Sequence, residues 1–272
     1  GNTVDPRQLP IRTDIREAVA LSVRHLNSLY DKDRDNEPFF YLNREADGTG
    51  KMHHSVNIGI PHVVGRCLLG CMMAEQAAGV VFPQDGLDIL ERYLRSSFDN
   101  PDHLNSYYDP EHGGARFIEF HNMREGLYGL WALIAGRQSD WARQTAHEML
   151  VTLDRLTDAE GRWSTELAKK AGMLERCQGF APANAARMVD ALLAYHEATG
   201  DALAMKLAGL YVQQGLKSIY LEDGHFAPME RSSGHVHSIT SSLSGITAYA
   251  VKTNNQDILA TCRKIMDVGV PE

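Results

Sequence analysis

The chain has 272 residues, 43% of them hydrophobic and 23% charged. That is ordinary usage for a chain long enough to bury a real core, and it excludes a disordered chain, a collagen-like fibre and a small disulfide scaffold. Lys and Arg number 27 against 35 Asp and Glu, a net charge of −8, which argues against general nucleic-acid binding because that binding rests on neutralising phosphates.

No apolar run approaches the roughly 20 residues of a membrane helix, so no membrane partner is expected. The start, Gly1 to Asp5, is polar and shows no leader. The expected location is soluble, either cytoplasmic or exported with a leader removed, and the compartment stays open. The four cysteines, Cys67, Cys71, Cys177 and Cys262, form no CxxC pair and read as buried thiols.

Residues 1–12 read as an N-terminal extension of a single domain that spans 1–272. Apolar residues then recur at three- and four-residue spacing, which predicts helices over 13–30, 60–78, 84–98, 122–136, 140–156, 183–199, 201–217, 238–252 and 256–267. Strand patterns are scarce. The piece from Arg116 to Phe120 alternates and is expected to pair only locally.

Gly79, Gly136, Gly200 and Asn254 follow helices as stop residues, and Asp85, Asp140, Asp201 and Asp257 stand near the next starts. The stops recur every 54–64 residues, long enough for two helices, one short turn and one long loop. The long loops also repeat, as in Asp158 to Trp163, Glu222 to Phe226 and Asp109 to Phe117. This pattern predicts stacked antiparallel hairpins with all long loops on one face. Segments rich in Gly and Ala (60–78, 122–136, 183–199, 238–252) form an inner ring, and the more charged segments an outer one. The expected fold is an all-α toroid.

Nine of the 12 histidines lie in the long loops or near inner-helix starts. Glu119, His121, Asn122, Arg124 and Glu125 gather at one helix mouth, where Asn122 and Glu125 also fit a capping box. His235 and His237 precede Ser238, a candidate N-cap. His53, His54, Glu175, Arg176, Glu230 and Arg231 complete the polar set. Tyr107, Tyr108, Phe117, Trp163 and Phe226 share these loops, placed either to stack on sugar rings or to pin the loops to the core.

The hairpin period, the D-x-x-G-aromatic loops and the motifs His62 to Arg66, Glu119 to Glu125 and Gly234 to Ser238 resemble the six-hairpin glycosidase-like superfamily. The resemblance covers nearly the whole chain and implies an (α/α)6-barrel-like toroid. Nine helices fall short of twelve, so an incomplete ring or a truncated longer chain is expected, with truncation favoured. It implies a carbohydrate-active enzyme, first a glycoside hydrolase on an oligo- or polysaccharide. Glu119, His121, Glu230 and Asp109 are then the catalytic candidates, because hydrolysis usually needs two carboxylates about the bond. His53, His54, Asn122, Arg124, Trp163, Glu175, Arg176, Arg231, His235, His237 and Tyr108 are the substrate-binding candidates. The alternatives are a polysaccharide lyase or sugar epimerase/isomerase, and a non-catalytic helical-repeat binding protein. No cofactor is expected, and a His-bound divalent metal is the minority reading.

Overall fold

The computed structural model describes residues 14–54, 59–109, 115–118, 122–170, 174–175, 182–232 and 234–269. Helix α1 (Ile15–Leu26) is capped by Asp14, whose carboxylate accepts the Arg16 amide at 2.8 Å. Two small hairpins follow, β1 (Tyr30–Asp31) with β2 (Glu37–Pro38) and β3 (Tyr41–Arg44) with β4 (Gly50–His53).

Four hairpins carry the rest of the chain. The first joins α2 (Gly59–Ala78) to α3 (Gln84–Phe98). Strands β5 (Ser106–Asp109) and β6 (Ala115–Ile118) then lead to α4 (Met123–Arg137) and α5 (Asp140–Leu156). A loop with α6 (Thr165–Lys170) and β7 (Leu174–Glu175) leads to α7 (Pro182–Ala186), α8 (Met188–Thr199) and α9 (Ala202–Ile219). The short α10 (Met229–Ser232) precedes α11 (Val236–Lys252) and α12 (Gln256–Gly269). Strand β6 pairs antiparallel with β5 and parallel with β7, a local sheet beside the helices.

Helices α2, α4, α7–α8 and α11 pack side by side as the inner row, and α3, α5, α9 and α12 each back their hairpin partner. The core lies between the rows, around Leu90, Leu94, Leu127, Leu130, Met149, Leu150, Leu192 and Tyr211. The inner helices approach closely because glycines face backbone. A Cβ on Gly65 would stand 1.8 Å from the Glu125 carbonyl oxygen, and one on Gly129 would stand 2.8 Å from the Gly65 Cα.

Two repeated loops share one construction. Asp158 accepts the amides of Glu160 and Arg162, Gly161 takes a φ of +78°, and Trp163 bridges back to Thr157. Asp223 accepts the His225 amide, Gly224 takes a φ of +98°, and Phe226 bridges back to Tyr220. In each, the positive φ turns the chain under the next outer helix, where a side chain would strike a backbone oxygen.

Several local expectations are corrected. The stop at Gly136 gives way to Gln138, which takes the left-handed conformation (φ 53°) and lets α4 run through Arg137. The segment 183–199 is broken at Arg187 into α7 and α8. Ser238 does not cap α11. His235 does, with its ring accepting the Ser238 amide. Asn122 makes no capping hydrogen bond, because its side chain turns to His62 instead, and Glu125 turns to arginines.

Candidate functional site

The first turns of the inner helices meet around Glu125, and side-chain bonds tie all four together. His62 of α2 meets Asn122 of α4, Nδ1 to Oδ1, at 2.6 Å. Asn105 braces that junction from below, donating to the carbonyls of Pro61 at 2.8 Å and Asn122 at 2.9 Å. Arg66 donates to Glu125 Oε1 at 2.8 Å, and Arg187, between α7 and α8, donates to the same oxygen at 3.0 Å. Arg187 also donates to Ser238 of α11 at 3.3 Å. Arg124 clamps Asp190 of α8 through Nε and Nη2 and lies over the Tyr128 ring, 4.9 Å from its centroid.

The burial of these groups differs, and the difference sorts their roles. Glu125 is fully buried and the Arg187 side chain is only 4% exposed, whereas the Arg66 side chain is 45% exposed. Glu125 thus holds one end of Arg66, whose side chain stays nearly half exposed. Glu125 Oε2, Arg187 Nε and Asn122 Nδ2 are buried with no hydrogen-bond partner. Each unpaired buried group costs about 1–3 kcal/mol, so the cluster is not built for stability alone.

The charges shape one another. Burial opposes ionisation of Glu125, but Arg187, His62 and Arg66 outweigh it and hold the carboxyl below its ordinary value. Burial pulls Arg187 down, as do Arg124 and Arg66, while Glu125 pulls it up. A guanidinium stays charged at neutral pH in either case. Burial opposes the charge of Arg124 as well, but the Asp190 pairing overrides it and raises the value. Tyr128 is raised by burial and then by Asp190, and it stays protonated. His237 is pushed below its ordinary value by partial burial, then by Arg187, His235, Arg66 and Arg124. Its ring therefore stands neutral, as a free base, at neutral pH. The rings of His235 and His237 meet edge to face, 5.7 Å between centroids.

Of the residues expected at a site, Asn122, Arg124, His235 and His237 come together here. His54 does not. It sits between Asp31 at 2.8 Å and Glu37 at 3.1 Å, bracing the first hairpin. His53 stacks on Tyr41 across the second hairpin, 5.2 Å between centroids. Trp163 is buried and donates from Nε1 to the Tyr211 hydroxyl at 2.8 Å, so it pins its loop to α9. Glu230 is exposed on α10, and Arg231 donates to the Lys217 carbonyl at the end of α9. Tyr108, Asp109 and Glu175 lie on β5 and β7, with side chains outside the described set. Glu119, His121 and Arg176 lie outside the described residues altogether.

Arg66, Arg187, Asp190, Tyr128 and Ser238 were missing from the sequence-derived set. The available pointer was an arginine inside an otherwise Gly-, Ala- and Leu-rich inner helix, as Arg66 and Arg187 are. A charge there needs a buried partner, and Glu125 is that partner. Among the described residues there is no group of three metal-ligating side chains, and no helix is long and apolar enough to cross a membrane.

Neither a family model nor a curated protein sequence matches the chain. Solved structures do. The cellobiose 2-epimerase from Bacillus thermoamylovorans superposes with a TM-score of 0.63 at 10% identity, over 93% of this chain and 73% of that one. The fold is an all-α toroid like that of this epimerase. At 10% identity the likeness carries architecture only.

Proposed function

We propose that this toroid is a carbohydrate-active enzyme that moves a proton at the carbon next to a sugar carbonyl, an epimerase or isomerase. The observation that carries the reading is the pair of rings His235 and His237, 5.7 Å apart at the arginine-rich mouth, where burial and Arg187, Arg66 and Arg124 push His237 below its ordinary value. The carboxylates among the described residues of the mouth, Glu125 and Asp190, are both tied to arginines. Such pairs are poor general acids, because arginine keeps them ionised. Histidine is therefore the better proton carrier here, and the epimerase named above shares the architecture.

In the proposed step His237 takes the proton from C2 of an open-chain sugar. The C–H electron pair becomes the C1–C2 double bond, and the carbonyl electrons move to O1. Arg66 stabilises the resulting oxyanion. Rotation about C2–C3 followed by return of the proton to the other face of C2 gives the epimer; return to C1, with the O2 hydroxyl proton passing to O1, gives the ketose. A positioned general base typically contributes about 10²–10⁴-fold in rate.

The test is a panel of reducing mono- and disaccharides, cellobiose included, incubated in D2O and followed by NMR. Deuterium at C2 or C1 of a sugar is the expected result. His237→Ala should lower kcat/KM by about 10²–10⁴-fold. New reducing ends without exchange would move the function to hydrolysis, and unsaturated uronate absorbance would move it to a lyase. The pH profile adds a second check. Partial burial and the cations Arg187, Arg66 and Arg124 all disfavour the imidazolium of His237. The acidic limb of kcat/KM should thus lie below the usual histidine range, with full activity at neutral pH. Arg66→Gln removes one of these cations, so its acidic limb should move to higher pH.

A further inference from the structure

We infer that Ser238 is a positioning residue that engages the Nδ1 lone pair of His235 and sets its ring proton on Nε2, so that His235 polarises the sugar carbonyl while His237 acts as the base. The inference rests on the proton-transfer reading above and names a second participant in it.

The argument is one of donors and acceptors. The Ser238 backbone N–H donates chiefly to the His235 carbonyl oxygen at 2.9 Å and shares that proton more weakly with His235 Nδ1 at 3.3 Å. The amide favours the Nδ1 lone pair, and the Ser238 side chain decides it. The Ser238 hydroxyl lies 2.7 Å from the same Nδ1. Its Oγ accepts from Arg187 Nη1 at 3.3 Å, and a guanidinium also can only donate. We assign the hydroxyl's single proton to Nδ1, the acceptor 2.7 Å away. The hydroxyl is then the main donor to Nδ1 and the amide the weaker one, and the ring proton belongs on Nε2.

The support behind this arrangement is buried. Ser238 is 3% exposed, Arg187 is 4% exposed and Glu125 is fully buried. Glu125 holds Arg187, Arg187 orients the Ser238 hydroxyl, and Ser238 sets the tautomer of His235. Nε2–H faces away from Nδ1 and so away from this support. A neutral imidazole that donates to a carbonyl oxygen is a known electrophile for enolisation. The His237 ring, 5.7 Å from that of His235, leaves the two side by side, one for the C2 proton and one for O1. No net proton leaves His235. It lends a hydrogen bond as charge builds on O1, and His237 carries the transferred proton.

The experiment is 15N NMR of histidine-labelled protein near pH 8, with the His235 resonances assigned by His235→Gln. The parent should show His235 as the Nε2–H tautomer. Ser238→Ala should mix the tautomers and lower kcat roughly 10–100-fold with KM little changed, the loss typical when a group that orients a functional histidine is removed. Ser238→Thr keeps the hydroxyl and should restore both tautomer and rate. A parent His235 protonated on Nδ1 would overturn the inference, as would a Ser238→Ala variant with the tautomer unchanged. These readouts need no substrate. A correct tautomer response in a protein that exchanges no sugar proton would therefore sink the proposed reaction, and with it the role of His235, while leaving the hydrogen-bond chain standing.

Discussion

Gly65→Ala should cost more than about 4 kcal/mol of folding free energy and lower Tm by roughly 10 °C. The new Cβ would lie 1.8 Å from the carbonyl oxygen of Glu125 and 2.6 Å from its carbonyl carbon. Those are backbone atoms inside α4, so no rotamer can clear them. Helices α2 and α4 must separate, and with them go the contacts of Gly129 against Gly65 and Leu94. An ordinary added methylene costs about 1–3 kcal/mol, because neighbouring side chains adjust. Here they cannot. Gly70→Ala is the control on the same helix. Nothing lies within 4 Å of its Cβ, and that face is exposed. It should stabilise by about 0.5–1 kcal/mol through helix propensity. Thermal and denaturant melts of the two variants test the argument. Equal effects would mean that the two helices are not in backbone contact.

Glu125→Gln should cost about 3–5 kcal/mol, the usual loss when one partner of a buried ion pair is removed. The volume is unchanged, so the loss is electrostatic. Arg187 keeps its charge in the interior, and Arg66 loses its anchor. The pH dependence gives a sharper test. The folded carboxyl lies below its ordinary value of 4.5, held there by Arg187, His62 and Arg66 against burial. Between the folded and unfolded values the unfolded chain binds more protons, so stability rises with pH there. This contribution is complete above the unfolded value and is lost as pH falls through the folded one. The gap between parent and Glu125→Gln should be widest near neutral pH and should close in acid. A gap independent of pH would mean that Glu125 acts through shape and not charge. The variant should also lose sugar turnover, because Arg66 and the Ser238–His235 pair both depend on Arg187 and Glu125.

Much of the fold was legible from local patterns. Helices α3 and α5 have the bounds read from periodicity, 84–98 and 140–156. Their apolar stripes face the core and their charged faces face water, so each pattern reports its own packing. Asp201 caps α9 as its position implied, accepting the Leu203 amide at 2.9 Å. The short helices α6 and α10 left no periodic trace, being a turn or two long inside polar loops. The break at Arg187 was equally silent, since Ala, Asn and Met around it suit an unbroken helix.

The site was only partly legible. Counting histidines near inner-helix starts led to His235 and His237, which do meet. The same count led to His53 and His54, which brace hairpins. Loop aromatics admitted two roles, and Trp163 took the packing one.

Sequence alone determined the helical periods, the recurring stops and the repeated Asp-Gly-aromatic loops, because these act over one or two turns of chain. They were enough for an all-α hairpin toroid with its polar residues at one end. Tertiary structure decided which polar residues share charge. Arg66, Glu125, Arg187 and Ser238 are separated by about 50 to 60 residues from step to step, and nothing local marks them as partners. Their energies depend on burial and on distances of about 3 Å, which exist only once the inner helices stand side by side.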